Sequence, residues 1–149
     1  MQFREYQTIS EKNLLCLTTD FAHQPLTGAL RRLREELEKH GRQQQRNIIL
    51  IFPLTHNDNK VTVCIPVDHP IAEPSKDFQF TTHLQCDNAV RTRHEGKLFE
   101  LKRGITHLIH YMEKQGLTPY PNAYCKVVYG LEQEPDINNI IADIYIGVG

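Results

Sequence analysis

Residues 24–41 read QPLTGALRRLREELEKHG, and residues 97–116 read KLFELKRGITHLIHYMEKQG. In the first run Leu26, Leu30, Leu33 and Leu37 fall at i, i+4, i+7 and i+11; in the second, Leu101, Ile105, Leu108 and Met112 do the same. This spacing gathers the apolar side chains into one stripe of a 3.6-residue helix and leaves the charges opposite. Each run stops at a glycine, Gly41 or Gly116, the residue that most readily takes the left-handed conformation closing a helix. Two amphipathic helices are predicted, each needing a sheet to cover its stripe.

The two runs keep one register. Leu26 and Leu101, Leu30 and Ile105, Leu33 and Leu108, Leu37 and Met112, and the two glycines are all 75 residues apart. The same offset relates Phe3 to Phe78, Asn13 to Asn88, Asp20 to Glu95 and Asn47 to Asn122. After each helix comes a β-rich run, NIILIF or NAYCKVV, then a turn segment (THNDNK or LEQEPDINN) and a second β-rich run, VTVCIPV or IIADIYIGV. Between the last runs the offset grows to 81, which predicts a longer second hairpin loop. Each half therefore reads strand–helix–strand–strand, with a bulged or broken first strand. The expected fold is α+β: a duplicated motif forming a mostly antiparallel sheet with two long helices on one face. Residues 1–68 form repeat one, 69–76 the Pro-containing linker and 77–149 repeat two. Joining two thin halves edge to edge would hide strand edges and apolar surface that either half alone leaves open.

Composition narrows the class. The 149 residues form one domain-sized chain, 40% hydrophobic and 23% charged, with a formal net charge of -1; that balance belongs to a globular domain and does not fit a dedicated nucleic-acid binder. No stretch reaches the apolar length needed to span a bilayer, and charges interrupt the N-terminal MQFREYQTISEKNLL where a signal peptide needs its apolar core. The expectation is a cytoplasmic protein without direct membrane or nucleic-acid contact. Cys16, Cys64, Cys86 and Cys125 are widely spaced and are expected to be reduced, mostly buried thiols.

Strand alternation sorts the candidate chemistry by face. In the last strand Ile140, Ala142, Ile144 and Ile146 are expected under the helices, with Ile141, Asp143 and Tyr145 on the other face. In the matching strand Val61, Val63, Ile65 and Val67 go inward, and Thr62 and Cys64 share a face with Asp143 and Tyr145. Tyr124 lies with Asn122 and Lys126, and Tyr120 precedes that strand, where it could close a cleft mouth or pack in the turn. An acid and phenols among apolar neighbours suit an amphipathic or cationic ligand, or simply a solvated sheet face. Glu95, like its counterpart Asp20, stands where a carboxylate caps the following helix or enters a site, with the cap favoured. His107 and His110 fall on the polar side of their helix. The sequence contains no HExxH, nucleophile elbow, phosphate loop or dinucleotide fingerprint; no metal, cofactor or reaction is predicted.

The repeat, together with His94-Glu95-Gly96, Leu98, Leu101 and the long helix ending at Gly116, resembles the gyrase-inhibitor (GyrI)-like small-molecule-binding domain. The same fold occurs as the effector-binding domain of bacterial multidrug-responsive transcription regulators. The resemblance spans essentially Met1 to Gly149. It implies two strand–helix–strand–strand motifs about a pseudo-twofold, with a ligand cleft between them that senses or sequesters small hydrophobic or cationic compounds. Some relatives hydrolyse electrophilic small molecules. Members that bind cations or hydrolyse usually carry a glutamate shortly before the tyrosine of the strand after the second helix. This chain has Pro121-Asn122-Ala123-Tyr124 there, so Glu95 or Asp143 would have to supply the charge. The ligand-contacting residues implied are Tyr124, Tyr145, Asp143, Glu95 and Tyr120. No helix-turn-helix segment is read in residues 1–149, so the expectation is a stand-alone binding protein. The alternatives are a protein-interaction module acting as an inhibitor or accessory subunit and, after it, a small-molecule hydrolase.

Overall fold

The computed structural model describes residues 2–54, 59–131 and 137–149; parts of both predicted turn segments lie outside them. Strand β1 (Arg4–Asp20) leads into helix α1 (Leu26–Lys39), then β2 (Ile48–Pro53) and β3 (Lys60–Pro66). The order repeats as β4 (Phe78–Gly96), α2 (Leu101–Lys114), β5 (Pro119–Tyr129) and β6 (Ile140–Val148). The two helices are 14 residues each, and both their starts and their ends are 75 residues apart. The α+β class and the repeated strand–helix–strand–strand order are as predicted.

Both helix ends close as their glycines require. Gly41 and Gly116 have φ of 63° and 73°. Past each glycine the chain folds back: the Arg42 amide donates to the Leu37 carbonyl at 2.9 Å, and the Leu117 amide to the Met112 carbonyl at 2.8 Å. This is the six-to-one bond of a Schellman ending, which satisfies a carbonyl the last turn would otherwise orphan. The helix starts differ from expectation. Neither Asp20 nor Glu95 caps a helix: α1 opens at Pro25 and α2 at Glu100, after a single 3-10 turn over Leu98–Glu100. Asp20 instead accepts the Ala22 amide in the turn beyond β1.

The sheet also goes further than an edge-to-edge union. All strand pairs are antiparallel, and the order β1-β3-β2-β5-β6-β4 returns to β1, closing a six-stranded barrel. The halves meet twice, β2 on β5 and β1 on β4. The second seam exists because β1 and β4 run 17 and 19 residues, long enough to pair within their own half and with each other. Closure removes the free edges on which a sheet aggregates.

Both helices pack on the outside of the ring. Leu30, Leu33, Leu108 and Met112 sit at 0% exposure in one core with Leu50, Val63, Ile65, Ala142, Ile144 and Ile146. The faces predicted for β3 and β6 are therefore those observed. The linker is fastened to this frame: Ile71 is buried, the Arg42 guanidinium donates twice to the Pro70 carbonyl at 2.8 and 3.1 Å, and the Ser75 amide donates to Glu36 Oε2 at 2.7 Å. Among the described residues no helix is long and apolar enough to cross a membrane.

Candidate functional site

The inner side of the barrel carries the polar chemistry, and strand register fixes its layout, because directly opposed residues share a face. One row runs Cys16, Cys64, Ile49, Lys126, Asp143, Arg93. The adjacent row runs Thr18, Thr62, Ile51, Tyr124, Tyr145, Arg91, Arg4. The first part of each row is apolar or hydroxylic: Leu14, Cys16, Ile49 and Cys64 form a second, smaller buried cluster with Ile51 and Leu84 against it. All four cysteines are free thiols, and Cys16, Cys64 and Cys125 are buried.

Three of the five predicted site residues come together here. Tyr124 and Tyr145 are direct cross-strand partners on β5 and β6, and Asp143 lies one row along on the same face. Tyr124 is buried and takes a hydrogen bond from the Asn122 amide at 3.3 Å, while Tyr145 is half-buried. Glu95 shares the face but is exposed beside Ile141, beyond Asp143. Tyr120 sits past the tyrosine pair in the opposite direction, 55% exposed against the C-terminal strand end at Gly147 and Gly149. Six residues of extended strand separate Ile141 from Gly147, roughly 20 Å at ~3.3 Å per residue, so Glu95 and Tyr120 cannot line one cleft mouth.

Asp143 is not an open carboxylate. Arg93 Nε and Nη2 donate to its two oxygens at 2.9 and 3.3 Å, and Arg91 Nη1 lies 3.6 Å from Oδ1. The hydrogen bond and charge of Asp143 raise the Arg93 pKa above its ordinary value, with smaller contributions from Glu95 and Tyr145. Across the barrel Lys126 Nζ meets Glu11 Oε1 at 2.6 Å. An open cleft of about 290 Å³ is lined by Gln2, Arg4, Arg91, Thr92 and Arg93, and Tyr145 is the strand partner of Arg91. Two roomier clefts, of about 400 and 450 Å³, lie at residues 44–48 with Val127 and Leu131 and at the start of α1. None of the three is lined by a phenylalanine or tyrosine. The arginine-lined cleft is the better candidate because Arg91, in its wall, has Tyr145 as its strand partner and shares the inner face with the predicted residues.

Arg91, Arg93, Arg4 and Glu11 were not among the predicted site residues. Alternation in NAVRTRHEG already places Arg91, Arg93 and Glu95 on one face, so two of them were within reach of the rule applied to β6. Glu11 was not. Asn13 has a φ of 55°, and across it the inner face passes from Glu11 to Leu14 and Cys16, which strict alternation does not allow.

No protein-family model matches the sequence, and no curated protein matches it. Solved structures do match its shape. The C-terminal domain of EcmrR superposes with a TM-score of 0.71 at 16% identity, covering 99% of this chain and 97% of that one. Against EcmrR in its complex with DNA the TM-score is 0.73 at 16% identity, and the match spans 57% of that longer chain. A hydrolase encoded by lin2189 of Listeria innocua gives 0.57 at 11% identity, covering 99% and 91%. SAV2435 bound to tetraphenylphosphonium gives 0.51 at 14% identity, covering 99% and 93%. At these identities the likeness is one of fold, and the chain has the GyrI-like effector-binding fold.

Proposed function

We propose that the chain is a single binding unit, two repeats joined by the 69–76 linker, that takes up a small hydrophobic molecule against Tyr145 and Tyr124 to sense or sequester it. The observation that carries this is the direct pairing of the two tyrosines on the inner face, with Tyr145 in turn the strand partner of Arg91 in the wall of an open cleft. Two aromatic rings give a small ligand a large apolar contact at about 25 cal/mol per Å². The fold of SAV2435, which has been captured with tetraphenylphosphonium, supports the same reading. A purely cationic ligand finds less support in the chain itself, because the one inner carboxylate beside the tyrosines, Asp143, already has both oxygens on arginine. A hydrolase would need that carboxylate free as a general base, so the same ion pair weighs against catalysis.

The test is calorimetric titration of the whole chain with a panel of neutral and charged aromatic compounds. Saturable binding of one per chain, lost in Tyr145→Ala, is expected. Absence of saturable binding across the panel would remove the proposal.

A further inference from the structure

The geometry points to a ligand that carries an oxyanion (carboxylate, sulfonate or phosphate), seated on Arg4, Arg91 and Arg93 while its apolar body lies against Tyr145. This inference rests on the binding reading above and gives that site its ligand class.

Three observations carry it. Arg4 and Arg91 are direct partners on β1 and β4, and like charges set opposite each other across antiparallel strands cost stability unless something anionic lies between them. The charge around the cleft is also out of balance. Asp143 answers Arg93 closely and Arg91 at 3.6 Å, and among the described residues no carboxylate pairs with Arg4. Of the other acids on this face, Glu11 is held by Lys126, and Glu95 lies at the exposed end beyond Asp143. Asp143 therefore answers two of the three guanidiniums, with Glu95 adding a weaker charge at Arg93, and among the described residues Arg4 is left without an acid. Finally, the space is open where the charge is. The cleft of about 290 Å³ is lined by those three arginines with Gln2 and Thr92, room for an acid group and part of a ring.

Arginine is suited to this task. Its planar fork meets an oxyanion with two parallel N–H donors, and its charge persists at any working pH. The Arg91 and Arg93 side chains are 26% and 50% exposed, so an anion would reach them without unfolding the wall. A lipophilic cation entering the same cleft would meet the uncompensated positive charge instead.

The experiment uses three probes with one ring system: naphthalene-1-sulfonate, neutral 1-naphthalenemethanol and cationic trimethyl-1-naphthylammonium. Each is titrated into the full chain by calorimetry. The sulfonate should bind about tenfold more tightly than either of the others, and its affinity should fall as salt rises. In Arg4→Gln, an exposed position whose side chain holds no ion pair with the described residues, that preference should drop about fivefold or more. Arg4→Lys, which keeps the charge and loses the fork, should fall between the two. Equal binding of all three probes, or tighter binding of the ammonium compound, overturns the anion seat while the aromatic site stands. An unaltered preference in Arg4→Gln overturns it as well. If none of the three probes binds, the binding reading itself has failed and takes this inference with it.

Discussion

Lys126 and Glu11 form an ion pair of 2.6 Å between β5 and β1, strands that lie opposite each other in the six-membered ring and never exchange a hydrogen bond. Lys126 has Asp143 as its strand partner, yet its ammonium reaches across the interior. The pair thus braces the barrel across its interior. The side chains are 27% and 17% exposed, so each relies on the other for much of its solvation. Removing one leaves a partly buried charge: Lys126→Met or Glu11→Leu should each cost about 1–3 kcal/mol in chemical denaturation. Combining Lys126→Met with Glu11→Leu should recover part of that loss, because no lone charge remains. A double variant as unstable as the sum of the singles would show that the pair does not couple.

The linker contact predicts an acid limb of stability. Burial by itself would raise the Glu36 carboxyl, but hydrogen bonds from the Ser75 amide and hydroxyl and from His40, with the His40 charge, hold it below its ordinary value. A carboxyl depressed in the folded state contributes stability above its unfolded pKa of about 4.3 and loses it as pH falls through the folded value. Glu36→Gln should therefore destabilise the chain by about 1–2 kcal/mol near neutral pH. The gap from wild type should shrink as pH falls below about 4. Thermal melts of both proteins across that range check it, and a gap that widens on acidification contradicts it.

Gly147 predicts a steric limit. A Cβ built there would lie 2.5 Å from the Tyr120 carbonyl oxygen and 3.0 Å from Cys86 Sγ. The first neighbour is backbone and cannot swing away. Gly147→Ala should cost about 1–3 kcal/mol through forced displacement of the β5 entry, read as a lowered denaturation midpoint. Gly28→Ala, whose Cβ would meet the Gln24 side chain at 3.6 Å, should be neutral or stabilising in helix α1.

The thiols offer a simple check on packing. Cys64 and Cys125 are fully buried and Cys16 nearly so, while Cys86 is half-buried. Burial raises the Cys125 and Cys86 pKa values; at Cys64 the hydrogen bond with the Cys16 thiol raises the value first, and burial adds to that. Since the thiolate is the reactive form, a thiol reagent should modify at most Cys86, slowly, in the native chain, and all four cysteines after denaturation. Rapid native modification of Cys16 or Cys64 would show that the inner cluster is open.

Much of the fold was legible because helices and buried strands write their contacts as periods. The stripes Leu26–Leu37 and Leu101–Met112 and the alternation of IIADIYIGV depend on local geometry alone, and the structure reproduces them. Barrel closure was not legible, since pairing of β1 with β4 depends on strand length and curvature that no short pattern encodes. The candidate site divided the same way. Tyr124, Tyr145 and Asp143 share a face that alternation predicts. Their ionic partners come from other strands: Arg93 through a register between β4 and β6, and Glu11 from across the ring. The cap expected of Glu95 failed because the chain inserts a 3-10 turn before α2, so the carboxylate ends its strand too early to reach the helix.

The most direct test of the central claim is a titration followed by NMR with tyrosine rings labelled, using whichever aromatic probe binds most tightly. The chain has six tyrosines and no tryptophan, so the rings report separately on the inner face and the outside. The Tyr145 and Tyr124 ring signals should move with a common saturable midpoint while those of exposed Tyr6 and Tyr129 stay in place. Shifts confined to Tyr6, Tyr129 or Tyr120, with Tyr145 and Tyr124 unmoved at saturation, would contradict it.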